Sequence, residues 1–289
     1  PEAYGNLADC EYLISRLDID PDIINHTPNV KFWQRWGAGF DHVDLKAWGE
    51  RGIPIATCPG VNSGIVAELA IMLMLAGYRN LLQINRQLRA GHWPRTEYFG
   101  RSFMIKGKTV GVLGLGHIGK KVAALASAFG ANVIYYDIVR QPEQEEQFGY
   151  RFVDFDTLLK ESDIFTIHCP LNEETRGMIG AAQFAKMKPT AMLINTARGP
   201  IVDEASLVDA RTTGKIATAG LDTYEHEPLP KDHPLLMLDN VVASAHAGGN
   251  TKDNDINMVN YVYHNIVAFD RGEPLNTPGD IVNGEYLKK

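Results

Sequence analysis

The middle of the chain alternates between two hydrophobic periods. Thr109–Leu113 is a short apolar, β-branched run, the pattern of a buried strand. Residues 118–129 then repeat apolar side chains at helical spacing, with Val122, Leu125, Ala126 and Phe129 on one face. The alternation continues through a strand at 132–136, a helix at 156–161, a strand at 164–168, a helix at 181–187, a strand at 191–195 and a helix at 204–212. Strands at 217–221 and 241–244 complete the series. These strands are apolar on both faces, which predicts a parallel sheet covered on both sides by helices, a doubly wound α/β domain.

The flanks read differently. Residues 11–15 and 30–35 read as strands and 45–50 as a helix. A last helix at 253–269 has no strand after it, so it is expected to fold back on the first part and make that domain discontinuous. The expected boundaries are 1–61, 62–249 and 250–289. Residues 65–88 form a long helical stretch with a break near Gly77. Its first half is apolar nearly all round, as in a core helix or a homodimer seam. These two readings are compatible.

Composition narrows the function. With 289 residues, 45% hydrophobic and 22% charged, the chain is an ordinary globular protein long enough for two domains. A net charge of −7 argues against nucleic acid as the main partner. Three scattered cysteines, Cys10, Cys58 and Cys169, make neither a disulfide framework nor a zinc site and suit a cytoplasmic setting. No metal site is expected. No apolar run reaches the ~18 residues of a membrane span, and the longest, at 65–76, is interrupted by Glu68.

Gly114, Gly116 and Gly119 form G-x-G-x-x-G between a predicted strand and a predicted helix, the context that makes the pattern a dinucleotide fingerprint. The first glycine permits the tight turn, the second lets backbone approach a pyrophosphate, and the third allows close helix–strand packing. The helix start at His117, Ile118 and Gly119 supplies unpaired N–H groups for phosphate. Asp137 ends the next strand, 18 residues after Gly119, where a carboxylate accepts from ribose hydroxyls and repels a 2′-phosphate. That favours NAD over NADP, with Arg140 three residues on able to soften the preference.

Three polar residues follow predicted strands: Arg198 in NTARG, Glu227 in YEHEP and His246 in SAHAGG. Ligands of open parallel sheets bind outside the carboxyl ends of strands. With WGAGFDHVD (36–44), NSGIVAE (62–68), GLGHIG (114–119), HCPL (168–171) and GLDTYEHEP (220–228) in the same order, the sequence resembles the D-isomer-specific 2-hydroxyacid dehydrogenase family from about residue 7 to 276. The resemblance implies a Rossmann domain plus a discontinuous flavodoxin-like substrate domain, here N-terminally truncated. It implies a catalytic set of Arg198, Glu227 and His246. It also implies that the turn Trp36, Gly37, Ala38 and Gly39 binds the substrate carboxylate, together with Arg198 and His246. Asn195, Thr196, Ala197, Asp222, His246 and Gly248 would line the nicotinamide side, and Cys169, Pro170 and Thr175 the adenosine and ribose. Asn62 and Val66 would border the cleft, and the domains would close about hinges near residues 61 and 250.

The residue chemistry suits that set. Reduction of a 2-oxo acid needs a proton donor, and histidine is suited because its unperturbed pKa is about 6.5. A carboxylate on the far ring nitrogen favours imidazolium and fixes orientation. Arginine can grip carboxylate and oxo group with one planar fork. The expected substrate is a small 2-oxo or D-2-hydroxy acid such as glyoxylate, hydroxypyruvate or glycerate, handled by a homodimer formed through the 65–88 helix. Phosphite dehydrogenase and an NAD-sensing corepressor-like scaffold are the alternatives. Formate dehydrogenases of this fold carry glutamine where Glu227 stands, and the regulatory domain of a large phosphoglycerate dehydrogenase is not expected here. The proline usual before the histidine is Ala245 here.

Overall fold

The computed structural model describes residues 7–16 and 19–287. The chain divides into two compact units, one of residues 1–62 and 250–289 and the other of 63–249. The first opens with β1 (Tyr12–Ser15), α1 (Ile23–His26), β2 (Phe32–Arg35), α2 (Leu45–Glu50) and β3 (Ile55–Ala56). The three strands form a parallel sheet in the order β1-β2-β3. β2 is buried throughout, and its period-2 alternation assigns each side chain to a layer. Trp33 packs on Trp48 of α2 with ring centroids 4.8 Å apart.

The chain then builds the larger unit. Its elements are α3 (Ser63–Tyr78), α4 (Leu81–Arg89), β4 (Thr109–Leu113), α5 (His117–Ala128), β5 (Asn132–Tyr136), α6 (Pro142–Phe148), β6 (Arg151–Phe152), α7 (Phe155–Glu161), β7 (Ile164–Ile167), α8 (Ala181–Phe184), β8 (Met192–Asn195), α9 (Glu204–Thr212), β9 (Thr218–Leu221), α10 (Pro234–Met237) and β10 (Val241–Ala243). Finally α11 (Lys252–Asp270) returns to the first unit. There Phe269 stacks on Phe32 at 4.4 Å, and Asn265 donates to Gln34 at 3.0 Å. Phe32 and Gln34 thus meet α11, while Trp33 between them meets α2.

The seven strands of the larger unit are all parallel, in the order β10-β9-β8-β7-β4-β5-β6. Strict alternation sends their side chains into two separate cores. Val110, Val112, Val133, Tyr135, Ile164, Met192, Ile194 and Val242 meet α3 and α5 on one face. Leu113, Ile134, Phe165, Ile167, Leu193, Ala219, Leu221 and Val241 meet α7, α8 and α9 on the other. Each fully buried Val, Leu, Ile, Phe or Met side chain among them contributes ~1.5–3 kcal/mol. This two-sided burial, more than local propensity, holds the short strands in place.

The long stretch at 65–88 is two helices meeting at 63°. The break lies near Gly77, as expected: α3 ends at Tyr78, and Asn80, whose φ of 51° is left-handed, precedes α4. Gly77 lies inside α3 because a Cβ there would stand 2.5 Å from the Met192 side chain, so it marks a close helix–sheet approach. A similar approach occurs at Gly220, where a Cβ would meet Leu73 at 2.9 Å. α3 is therefore largely a core helix, with Ala67, Ala70, Leu73 and Met74 fully buried. Phe129, expected on the buried face of α5, caps that helix and is 44% exposed. Periodicity did not signal α1, α6, α10, β3 or β6, each of seven residues or fewer. No single described helix is long and apolar enough to cross a membrane. Among the described residues no group of three or more His, Cys, Asp or Glu is placed to hold a metal.

One buried charge stands out in this unit. Arg211 of α9 is 4% exposed, and its Nε and Nη1 are buried without an acceptor. Burial lowers its pKa to about 10. Burying an ion costs several kcal/mol in desolvation, and even buried ion pairs can be replaced by apolar groups of similar volume with gains of up to ~4 kcal/mol. Arg211→Leu is therefore expected to raise the thermal midpoint by several degrees in a melting experiment. A lower midpoint would show that the guanidinium has a compensating partner.

Candidate active site

The strand order reverses between β4 and β7: β5 and β6 lie to one side, β7 to β10 to the other. Such a switch point opens a crevice at the carboxyl ends of the strands. The glycine turn occupies it. Gly114 has φ 89°, and a Cβ there would meet the Cys169 nitrogen at 2.7 Å, so only glycine lets this turn press against the end of β7. A Cβ on Gly119 would stand 2.0 Å from the Gly114 carbonyl oxygen. Gly116, by contrast, faces open space. It precedes α5 without a side-chain cap, so the N–H groups of the first turn, at His117, Ile118 and Gly119, are left for an anion.

Asp137 follows β5 and lies over this turn, its Oδ2 accepting from the Leu115 N–H at 2.6 Å. Pro170 is exposed and Cys169 half-buried after β7. Burial pushes the Cys169 thiol up to about 11. The Thr175 hydroxyl donates to the Pro170 carbonyl at 2.7 Å and shapes that loop. The ends of three adjacent strands each carry a buried polar atom without a partner: His168 Nδ1, Thr196 Oγ1 and Thr223 Oγ1. Buried polar groups are normally paired. An open glycine, an uncapped helix start, a ribose-type carboxylate and these orphaned atoms together fit a dinucleotide.

His168 has a consequence for stability. Desolvation lowers its pKa from 6.5 to about 3. Below about pH 6.5 the unfolded chain binds a proton that the folded chain refuses until about pH 3, so stability is full above 6.5 and falls with pH between them. Thermal midpoints measured from pH 7 to pH 4.5 should drop. His168→Gln should flatten the drop, and an equal slope in both proteins would refute the assignment.

The ends of β8, β9 and β10 carry the second cluster. Asn195, the last residue of β8, is 1% exposed; its Nδ2 donates to the Arg198 carbonyl at 2.8 Å and its Oδ1 accepts from the Ala197 N–H at 3.0 Å. This knot fixes the turn that presents Arg198, whose Nη1 donates to the Ala197 carbonyl at 2.7 Å. Gly199 presses that turn onto the segment after β9, where a Cβ would stand 1.8 Å from the Tyr224 carbonyl carbon. Beyond Tyr224 the chain reaches Glu227, whose Oε1 accepts from the Tyr224 N–H at 2.9 Å. The other carboxylate oxygen stands 2.7 Å from His246 Nδ1.

His246, after β10, sits at φ 49°, in the left-handed region that a branched residue strongly disfavours. Asp222 holds it there. Its carbonyl accepts from the His246 N–H at 2.8 Å, Oδ1 from the Ala247 N–H at 2.9 Å and Oδ2 from the Gly248 N–H at 2.9 Å. Ser244 Oγ adds a bond to Asp222 Oδ1 at 2.6 Å. Asp222, read from the sequence as a nicotinamide contact, is thus 1% exposed and braces the His246 loop.

Two residues in this cluster were not singled out from the sequence. Tyr224 ties the Glu227 loop to the His246 loop, its hydroxyl donating to the Ser244 carbonyl at 2.8 Å. Glu204, at the start of α9, accepts from the Glu225 N–H at 2.6 Å and faces His233 at 3.4 Å. Burial raises its pKa. The one available signal was an acidic residue opening a helix, which is also what simple helix capping gives.

In the smaller unit, the turn 36–39 follows β2. Gly37 has φ 140° and open space where a Cβ would be. Its carbonyl accepts from the Cys58 N–H at 2.8 Å, and Arg35 Nε holds the Gly39 carbonyl at 3.3 Å. Trp36 and Gly39 are half-buried and Ala38 exposed. Arg16, which follows β1, donates to Asn250 at 2.8 Å, and Trp93 and Phe99 are 80% and 74% exposed.

Known proteins resemble this chain in sequence and in fold. Residues 71–248 match the family model described as D-isomer specific 2-hydroxyacid dehydrogenase, NAD binding domain. A glyoxylate reductase of Thermofilum pendens is 40% identical over 99% of this chain and 85% of its own length. A D-3-phosphoglycerate dehydrogenase of Archaeoglobus fulgidus is 42% identical over 90% of this chain, which spans about half (49%) of that relative. The crystal structure of a glyoxylate reductase from Paecilomyes thermophila superimposes with a TM-score of 0.84 at 35% identity, over 96% of this chain and 86% of that one. With a fingerprint turn at the switch point and a family match across most of the larger unit, this chain belongs to the D-isomer specific 2-hydroxyacid dehydrogenases, NAD-binding oxidoreductases built on two parallel α/β sheets.

Proposed function

We propose that this chain reduces a small 2-oxo acid with NADH, glyoxylate or hydroxypyruvate first among them, and oxidises the matching D-2-hydroxy acid in reverse. The observation that carries the reading is the His246 Nδ1 to Glu227 Oε2 contact of 2.7 Å. It engages one ring nitrogen and leaves Nε2 to exchange a proton with the substrate oxygen, a step typically worth ~10²–10⁴-fold. The names of the glyoxylate reductase relatives support the substrate class. Bound NADH supplies the hydride.

The remaining roles belong to the protein. Arg198 grips the carboxylate and polarises the oxo group through two parallel N–H donors. The N–H groups of the turn 36–39 hold the carboxylate, in a smaller unit that we read as the substrate half, flavodoxin-like in its parallel β1-β2-β3 order. The larger unit is the doubly wound, Rossmann half. Asp137 accepts from the adenosine ribose, Cys169, Pro170 and Thr175 flank the adenosine, and Thr196, Ala197 and Gly248 line the nicotinamide side. A second copy of the chain packs along α4 and the loop after it, where Leu81, Leu82, Trp93, Phe99 and Met104 are 45–80% exposed. Sedimentation at the monomer mass would remove that dimer.

The deciding experiment is NADH oxidation by the purified chain against a panel of 2-oxo acids, with phosphite plus NAD and formate plus NAD as controls. Turnover on one or two 2-oxo acids identifies the substrate. Tight NADH binding without turnover on any of them would overturn the reading in favour of a sensor.

A further inference from the structure

Asp137 opens the adenosine-side loop. The segment 137–141 curls over the glycine turn and is tied to Leu115 at both ends. Asp137 Oδ2 accepts from the Leu115 N–H at 2.6 Å, and Gln141 Nε2 donates to the Leu115 carbonyl at 2.9 Å. Arg140 lies between these ties, one residue from the second. A guanidinium so placed is the natural partner for a ribose 2′-phosphate. The structure holds it elsewhere. Arg140 Nε donates to Glu145 Oε1 at 2.9 Å and Nη2 to Glu145 Oε2 at 2.8 Å, a two-pronged pair. Its Cζ also lies 5.7 Å from the Phe152 ring centroid.

Glu145 is itself anchored. It lies in the first turn of α6, and the Tyr135 hydroxyl donates to its Oε1 at 2.9 Å. Tyr135 is fully buried in β5, and its hydroxyl in turn accepts from the Gln141 N–H at 2.8 Å. The carboxylate that grips Arg140 is therefore tethered to the sheet core. Arg140 and Tyr135 hold its pKa down at about 2, so the grip persists across the physiological range.

We propose that Glu145 is a specificity-determining positioning residue: anchored by Tyr135, it locks Arg140 away from the ribose 2′ position and so enforces NAD over NADP. The inference rests on the nucleotide-site reading above and deepens it. Asp137 repels a 2′-phosphate directly. Glu145 acts through Arg140, by withholding the one cation of this loop that could neutralise that phosphate.

The test measures NADH and NADPH dissociation constants by nucleotide fluorescence, first in the wild-type chain and then in Asp137→Ser, which removes the direct repulsion. Adding Glu145→Gln to Asp137→Ser should tighten NADPH about 10-fold or more, the scale of a charge-assisted phosphate contact. NADH affinity should not move. Adding Arg140→Leu should abolish the gain. If Glu145→Gln brings no gain, the lock does not exist. If the gain survives Arg140→Leu, Glu145 acts only by its own charge and the proposal is overturned. A wild-type chain that binds neither nucleotide would remove the site reading itself, and this inference with it. Should Glu145→Gln not fold, Tyr135→Phe loosens the same grip and carries the same comparison.

Discussion

Replacing His246 by asparagine is expected to lower kcat about 10²–10⁴-fold, the usual contribution of a positioned acid–base group. Asparagine is a cleaner probe than alanine because it tolerates the left-handed backbone better, and His246 sits at φ 49°. The backbone of that loop is held by the carbonyl and carboxylate of Asp222 and not by the imidazole. The substitution should therefore leave the loop in place and NADH affinity unchanged. Glu227→Gln separates orientation from charge: it keeps an acceptor for the Tyr224 N–H while removing the negative charge beside Nδ1. Its loss should be smaller than that of His246→Asn. Single-turnover kinetics with saturating NADH would check both, and retained single-turnover rates in His246→Asn would refute the proton role.

The second large effect is at Arg198. Removing one partner of a desolvated, hydrogen-bonded charge pair costs ~2–5 kcal/mol. Arg198→Ala is therefore expected to lower kcat/KM for the 2-oxo acid about 10²–10³-fold. Arg198→Lys should recover little of it, since an ammonium keeps the charge and loses the planar fork. The backbone should tolerate both changes, because Asn195 holds the Arg198 carbonyl and Gly199 is pressed against Tyr224. The KM of the acid should rise sharply while that of NADH stays constant. Equal rises in both would mean that Arg198 supports the fold of the cleft and not the substrate.

These expectations rest on features of unequal visibility in the sequence. The alternation of β4, β5 and β7 to β10 with helices was legible because side chains on a doubly covered parallel sheet are apolar at nearly every position, whichever core they enter. The glycine turn was legible because each glycine answers a separate steric demand, two of them close approaches to backbone and one an open face. Arg198, Glu227 and His246 each follow a predicted strand, so their chain positions alone suggested one edge of the sheet.

Other features depended on partners far away in sequence. The helix break fell near Gly77 as expected, but glycine is required there by a contact with Met192 over a hundred residues on, which local sequence cannot report. Two-residue strands such as β3 and β6 carry no measurable period and exist only because a neighbouring strand pairs with them. Asp222 reads in sequence as one more acidic residue beside the cofactor, yet three-dimensional packing turns its carboxylate toward the N–H groups of the His246 loop.

By itself, then, the sequence determined the strand–helix alternation, the fingerprint turn and the identity of the charged residues at the strand ends, since these follow from local periods and from backbone demands within a few residues. The tertiary structure alone decided the strand order that makes a switch point, the 2.7 Å pairing of His246 with Glu227 and the capture of Arg140 by Glu145. Strand order and side-chain pairing are settled by long-range packing and hydrogen bonding, whose energies depend on groups that only the folded chain brings together.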